Sequence, residues 1–276
     1  MTLSPPARRF NWRDLGIRAA SALVLIPAVI FAIAHGHWAF TLLISVGAAL
    51  MCLEWGQMSA PAAANRIGAA VTLGVVAPVF AAELGDFSAA FVLLTFGALA
   101  AALYARRIGA VTIDAAYGVL YIGWPCVVLV WLRQQPDGRD WTVMLFAIAW
   151  SADIAAYAIG NLLKGPKLWP RFSPNKTWSG FLGGLAAGVM AGVIAESLSD
   201  VVDLPLFWSI CMGLVVGLAT MAGDLWESAL KRRFGVKDAG SLIPGHGGIL
   251  DRVDGLMFAV IAVAACRLVL MFGGVI

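Results

Sequence analysis

Residues 224–254 gather Asp224, Glu227, Asp238, Asp251 and Asp254 beside Lys231, Arg232, Arg233, Lys237 and Arg252. The glycine-rich turn Pro244-Gly245-His246-Gly247-Gly248 lies among them. Carboxylates suit hard divalent cations and basic side chains suit phosphates, so the mixture points to metal-assisted phosphate chemistry. Asp224, Glu227 and Lys231 follow at i, i+3 and i+7 and can line one helix face. Asp251 and Asp254, three apart, can do the same. Two carboxylate pairs on adjacent helix ends can hold one or two cations, and all-oxygen ligation favours Mg²⁺ or Mn²⁺ over zinc. The glycines permit positive φ and close backbone approach, as a phosphate-cradling loop requires. Mutual neutralisation by Asp–Arg and Glu–Lys pairs accounts for any single pair, but not for so much charge and glycine in one run. His246 is open between acid or base, phosphate donor and turn residue.

Two further polar segments interrupt apolar sequence. Asp153 lies inside a hydrophobic stretch, followed by Tyr157, Gly160, Asn161 and Lys164. An intramembrane acid either bonds a neighbouring helix or belongs to a site, and the shared face of Asp153 and Tyr157 favours the site. The second segment is Ser173-Pro174-Asn175-Lys176-Thr177-Trp178-Ser179-Gly180. Pro174 can stand near a helix start, with Ser173 or Thr177 as its cap. Free N–H groups at such a start, with Lys176 beside them, suit a phosphate; an ordinary cap beside an interfacial lysine is the plainer alternative.

The elements that must position these residues are hydrophobic helices. The chain has 276 residues, 61% hydrophobic and 13% charged, with mean hydropathy +0.87. Soluble domains carry about 25% charged residues, so this is an integral membrane protein. Its net charge of +3 is too small to imply nucleic acid. Cys52, Cys126, Cys211 and Cys266 all fall in apolar runs without a CxxC pair, and read as small buried hydrophobes. Hydropathy predicts an all-α polytopic fold of about nine transmembrane helices, near 17–34, 38–56, 67–83, 87–105, 116–132, 142–162, 178–196, 205–223 and 255–273. We treat 1–276 as one transmembrane domain, with N-terminal hydrophobic helices in 1–135 and the chemistry-bearing helices and loops in 142–273.

Loop charge sets the expected orientation. Arg8, Arg9, Arg13 and Arg18 precede the first span, and Arg66, Arg106, Arg107, Lys164, Lys167, Arg171, Lys176 and the basic residues of 224–254 fall on the same side. Of the 19 Lys and Arg residues only Arg133, Arg139 and Arg267 lie elsewhere. The positive-inside bias therefore places the N-terminus and both long polar loops in the cytoplasm. A rival reading of the first span is a cleaved signal peptide ending at Ala32-Ile33-Ala34, a pattern common in Ala-rich helices.

At this point a resemblance is specific. Ser228-Ala229-Leu230-Lys231-Arg232, Lys237-Asp238, Gly240, Ile243-Pro244-Gly245-His246-Gly247-Gly248 and Asp251-Arg252-Val253-Asp254 fill every defining position of a 27-residue pattern. That pattern is the one of the phosphatidate cytidylyltransferase (CDP-diacylglycerol synthase) family. Gly223-Asp224-Leu225 with Glu227, Ser173-Pro174 with Lys176-Thr177-Trp178 and Gly180, and Asp153 with Ala156-Tyr157 and Gly160 are also similar. Departures are Asn161 where Arg is common, Lys164-Gly165 in place of Gly-Lys, and Ser179 where Glu or Gln is usual. The first five spans are similar only as generic hydrophobic helices.

The resemblance implies that CTP and phosphatidic acid give CDP-diacylglycerol and pyrophosphate, with Mg²⁺ or another divalent cation, one ion or two. It implies Asp224, Asp251 and Asp254 as metal ligands and Lys231 as a stabiliser of phosphate charge, these four forming the catalytic set. Lys176, Ser173, Ser228, Arg232, Lys237 and His246 become candidate substrate contacts, with Asp153 nearby. The implied partners are CTP, phosphatidic acid and membrane lipids, with a homodimer allowed and no nucleic acid. The setting is the plasma or inner membrane, with a polar cavity between spans six to nine open to the inner leaflet. Rivals are a CTP-dependent polyprenol-type kinase and an ion-coupled transporter. The transporter predicts acids buried within spans and repeated helix breaks, which the one-sided acid cluster does not match.

Overall fold

A computed structural model describes residues 23, 26–199, 202–240 and 247–276 of the chain. Among these described residues, a short apolar helix α1 (Ile26–His35) is followed by eight helices long and apolar enough to cross a membrane. They are α2 (His37–Ser59), α3 (Ala64–Glu83), α4 (Phe87–Arg107), α5 (Thr112–Gln134), α6 (Gly138–Leu163), α7 (Trp178–Ser197), α8 (Leu206–Arg233) and α9 (Leu250–Phe272). Each matches an expected span within a few residues at most ends. The first expected span, with the proposed signal peptide, begins outside the described residues, and only α1 represents it. The all-α class holds, with one addition: α6 and α7 are joined by an antiparallel hairpin of β1 (Lys167–Trp169) and β2 (Ser173–Thr177).

Two deviations from the expected spans matter for the site. α8 runs ten residues past its expected end, and its last turns carry Asp224, Glu227, Ser228 and Lys231. α9 starts five residues before its expected beginning, so Asp251 and Asp254 stand in its first two turns. Hydropathy ends a span where charge begins, whereas a helix continues as long as its backbone bonds can be made.

Packing follows small residues. Gly180, Gly184, Gly188 and Gly192 form the buried stripe of α7, one residue per turn. A β-carbon on Gly180 would lie 2.6 Å from the Ala156 carbonyl oxygen of α6, and one on Gly213 of α8 would lie 2.6 Å from the Val189 Cα of α7. In lipid, such small-residue stripes let backbones approach and gain dispersion that no hydrophobic force supplies. α8 and α9 cross in the same way at Gly223 and Gly255. A β-carbon on Gly223 would meet the Asp254 carbonyl oxygen at 2.5 Å, and one on Gly255 the Thr220 carbonyl oxygen at 2.8 Å. Asp224 follows the first glycine and Asp254 precedes the second, so the crossing draws two site acids together.

The apolar core has two centres. One joins α2–α5 around Trp55, Val75 and Ile122 and reaches Leu230, Leu250 and Met257 of α8 and α9. The other joins Trp141, Leu145 and Ile148 of α6 to Met212, Val216 and Val263. The N-terminal helices thus form the seat of α8 and α9. Arg267, inside the last span, pairs with Asp137 at 2.7 Å and lies over the Trp131 and Trp141 rings. The four cysteines are free and buried or half-buried, as expected.

Replacing Gly223 by Val should wedge α8 from α9, costing about 1–3 kcal/mol of stability by overpacking and most of the turnover. Gly47→Ala, where an added β-carbon meets nothing within 4 Å, should leave both unchanged or improved. Thermal unfolding in detergent, paired with activity, checks the contrast.

Candidate active site

Asp153, Tyr157, Lys176, Thr177, Phe181 and Asp224 line a cavity of about 330 Å³ between α6, the hairpin, α7 and α8. Asp153 and Tyr157 share a face as their spacing requires, and Lys176 forms an ion pair with Asp224 across the cavity. α7 begins at Trp178, where the seventh span was expected, and the residues just before it, Ser173–Thr177, form strand β2. Thr177 is the cap, its hydroxyl accepting the Gly180 N–H at 3.2 Å. Ser173 sits at the far end of β2, opposite Trp169, away from the cavity. Lys176 therefore reaches Asp224 from a strand that leads into the helix.

Beside this cavity lies a second charged group. Lys231 Nζ is 2.7 Å from Asp251 Oδ1 and 3.5 Å from Glu227 Oε2. Asp251 also accepts the Ala239 N–H at 3.0 and 3.2 Å and the Gly248 N–H at 3.0 Å. Asp254 accepts the Gly255 N–H at 2.8 Å and interacts electrostatically with Asp224, Glu227 and Lys231. Asp153 in turn interacts with Asp224, Asp254 and Lys176. Asp254 is the electrostatic link between the two groups. Asp224, Ser228 and Lys231 fall at i, i+4 and i+7 on α8, and Ser228 is half-buried.

Arg232 and Lys237 are exposed and make no ion pair among the described residues. Arg233 turns away from the site to Asp114 of α5, at 2.6 Å. His246 and the rest of 241–246 lie outside the described residues. Of the turn's glycines, Gly247 has φ +85° and Gly248 donates to Asp251. Their described contacts are with protein carboxylates.

Five carboxylates (Asp153, Asp224, Glu227, Asp251 and Asp254) stand against the two ammonium groups of Lys176 and Lys231. That surplus of negative charge suits a divalent cation. Among the described residues no three acids converge at coordination distance, and Asp224 and Asp251 are each held in an ion pair with a lysine. Asp224 and Asp254 have acceptor positions to spare, whereas Asp251 already accepts from an ammonium and two backbone amides. The donor set fits a hard cation at the Asp224–Asp254 end, with Asp251 joining if Lys231 yields.

One residue escaped the sequence reading. Glu54 of α2 is fully buried, and its two oxygens accept the Ile249 and Leu250 N–H groups at 2.9 Å each. These are orphan donors at the start of α9, so a carboxylate from the first half of the chain serves as its cap. Gly240 and Gly248 make room: a β-carbon on either would come within 2.7 Å of the Glu54 side chain. The signal was an ionisable residue in an apolar run, the same signal that singled out Asp153. The Lys164-Gly165 inversion also has a local consequence. Lys164 has φ +55° and Gly165 φ +110°, so a side chain occupies the first of two positions that favour glycine.

A family model described as the cytidylyltransferase family matches residues 16–270. The phosphatidate cytidylyltransferase of Brucella suis is 40% identical over 95% of this chain and 94% of its own length. That of Brucella abortus strain 9-941 is similar to the same extent. The phosphatidate cytidylyltransferase of Staphylococcus saprophyticus is 37% identical over 52% of this chain and 56% of its own length.

Glu54→Gln should destabilise the protein by about 1–3 kcal/mol, because an amide offers one acceptor oxygen to two buried donors. A fall in detergent melting temperature, larger in Glu54→Ala, is the expected readout.

Proposed function

This chain belongs to the cytidylyltransferase family and transfers the cytidylyl group of CTP to phosphatidic acid, and we propose how its residues divide that work. A phosphate oxygen of phosphatidic acid forms a bond to the α-phosphorus of CTP, the bond from that phosphorus to the β-phosphate oxygen breaks, and pyrophosphate leaves. The attacking phosphate monoester is largely dianionic at neutral pH, since its second pKa is about 6. It needs neither a covalent enzyme nucleophile nor a strong general base. Two polyanions must instead be neutralised and aligned.

The observation that carries the assignment is the meeting of Lys176, Asp224 and Asp153 on one cavity, with Lys231, Asp251 and Asp254 adjoining. In our reading Lys176 and Lys231 exchange their carboxylates for substrate phosphate. Asp224 and Asp254, with Asp251, hold Mg²⁺ or another divalent cation, which when bound neutralises phosphate charge. Asp251 also organises the turn through the Ala239 and Gly248 amides, tying Lys231 to the loop. Ser228, on the Asp224 face of α8, is a substrate contact. Arg232, Lys237 and His246 complete the candidate nucleotide contacts, and Ser173 belongs to the hairpin.

The integral membrane protein orients with its N-terminus and this site in the cytoplasm, in the plasma or inner membrane. Two things support that side: the Lys and Arg bias of the loops and the cytosolic location of CTP. A homodimer belongs to the same proposal, and the particle mass in detergent decides it.

Purified protein given CTP labelled at the α-phosphate should place label in lipid, and EDTA should stop it. Label arriving from the γ-phosphate instead would mark a kinase. Asp224→Asn and Asp251→Asn should each lower kcat by at least 100-fold while the protein stays folded and inserted. Near-normal turnover in both variants would defeat the metal assignment.

A further inference from the structure

The β1–β2 hairpin is more than a connection. It contributes Leu168, Asn175 and Lys176 to the wall of the cavity. The hairpin and the end of α6 before it carry Lys164, Lys167 and Arg171, all exposed, with the Lys167 ammonium 3.5 Å from the Asn175 carbonyl oxygen. None of the three makes an ion pair among the described residues. No acid lies between Asp153 and Glu196 in the sequence, so this positive charge is uncompensated within its own segment.

Apolar side chains accompany that charge. Leu162 is 80% exposed and Tyr157 76%, and Leu163, Trp169 and Trp178 are exposed too. Trp169 packs edge-on against Phe172 with ring centroids 4.9 Å apart, and the Arg171 guanidinium lies over the Phe172 ring at 5.3 Å. Tryptophan with lysine and arginine at a helix end is the composition of a membrane–water interface. The hairpin is also held in place. Ser179 donates to the Lys164 carbonyl, and Trp178 N–H to the Pro166 carbonyl at 3.0 Å. The basic rim is thus fixed against the cavity.

We propose that this rim is a collecting site for the phosphate headgroup of anionic lipid, which it hands to Lys176 in the adjoining cavity. This rests on the functional reading above and adds the lipid's point of entry. The exposed Leu162 and Leu163 favour lipid over nucleotide as the occupant, because aliphatic side chains offer a soluble triphosphate nothing, whereas the tryptophans suit an interface and a base alike. Lipid acyl chains would lie along the exposed apolar residues of α6 and α7 while the headgroup meets Lys164, Lys167 and Arg171.

The test uses the full chain in mixed micelles, with phosphatidate varied as a mole fraction and CTP varied independently. A basic residue near an anionic surface contributes about fivefold in binding, so the double variant Lys167→Gln/Arg171→Gln should raise the phosphatidate KM roughly tenfold or more. The CTP KM and kcat at saturating lipid should stay as in the parent. Arg171→Lys in the Lys167→Gln background should recover part of the loss, and added salt should weaken the parent more than the double variant. A rise in the CTP KM alone, unchanged KM values for both substrates, or a loss confined to kcat would each overturn the proposal. Phosphatidate binding, read by native mass spectrometry of the detergent-solubilised protein, keeps the two readings apart. Weaker phosphatidate binding in the double variant supports the rim even if the parent transfers no cytidylyl group. Equal binding overturns it whether or not turnover is seen.

Discussion

A carboxylate withdrawn from water at the edge of a bilayer must be answered by a cation or by backbone N–H groups, or its burial costs several kcal/mol. The polar architecture of this protein follows from meeting that requirement repeatedly. Lys176 answers Asp224, Lys231 answers Asp251 and stands 3.5 Å from the buried Glu227, Arg233 answers Asp114, and two peptide N–H groups answer Glu54. Acids still outnumber ammonium groups around the cavity, an imbalance that suits the divalent cation of the proposed mechanism. Under the proposed mechanism, the metal offsets part of the substrates' charge and the two lysines part of the rest, so the resting ion pairs are replaced rather than simply broken. This limits the electrostatic cost of binding two polyanions side by side.

Meeting the requirement at such short range depends on backbone proximity. A carboxylate reaches only a few ångströms from its Cα, so the helices bearing these groups must nearly touch. Glycine supplies the room at the α8–α9 crossing, along α7, and around the Glu54 side chain. At the α8–α9 crossing the glycines bring the backbones of Asp224 and Asp254 close, and around Glu54 they let its oxygens reach Ile249 and Leu250. Packing and electrostatics are here two consequences of the same absent β-carbons.

Much of this was legible in the residues. Apolar run length located eight helices, and the i, i+3 and i+7 spacings placed Asp224, Glu227 and Lys231 on one surface. Lys176 and Asp153 were expected in the same site, and the shared cavity joins them to Asp224. The hairpin was not legible. Its strands are three and five residues long, polar and proline-bearing, and lack the alternation that marks a half-buried strand. Of the two caps that the sequence offered, Thr177 holds that place and Ser173 falls at the far end of the strand. Glu54 was missed for a different reason: an acid in an apolar helix announces that it has a partner, but nothing local says which. Here the partners lie 195 and 196 residues away.

That separation also bears on how the protein is made. Helices enter the membrane in order of synthesis, and at about 5–20 residues per second the chain needs roughly ten to forty seconds to travel from Glu54 to its donors. During that interval the acid has neither Ile249 nor Leu250, and it must remain protonated, reach interfacial water, or be sheltered by the insertion machinery. The first half of the bundle is therefore assembled before that acid has its donors, and the arrival of α9 both completes the site and supplies the buried carboxylate of the second helix with two N–H groups.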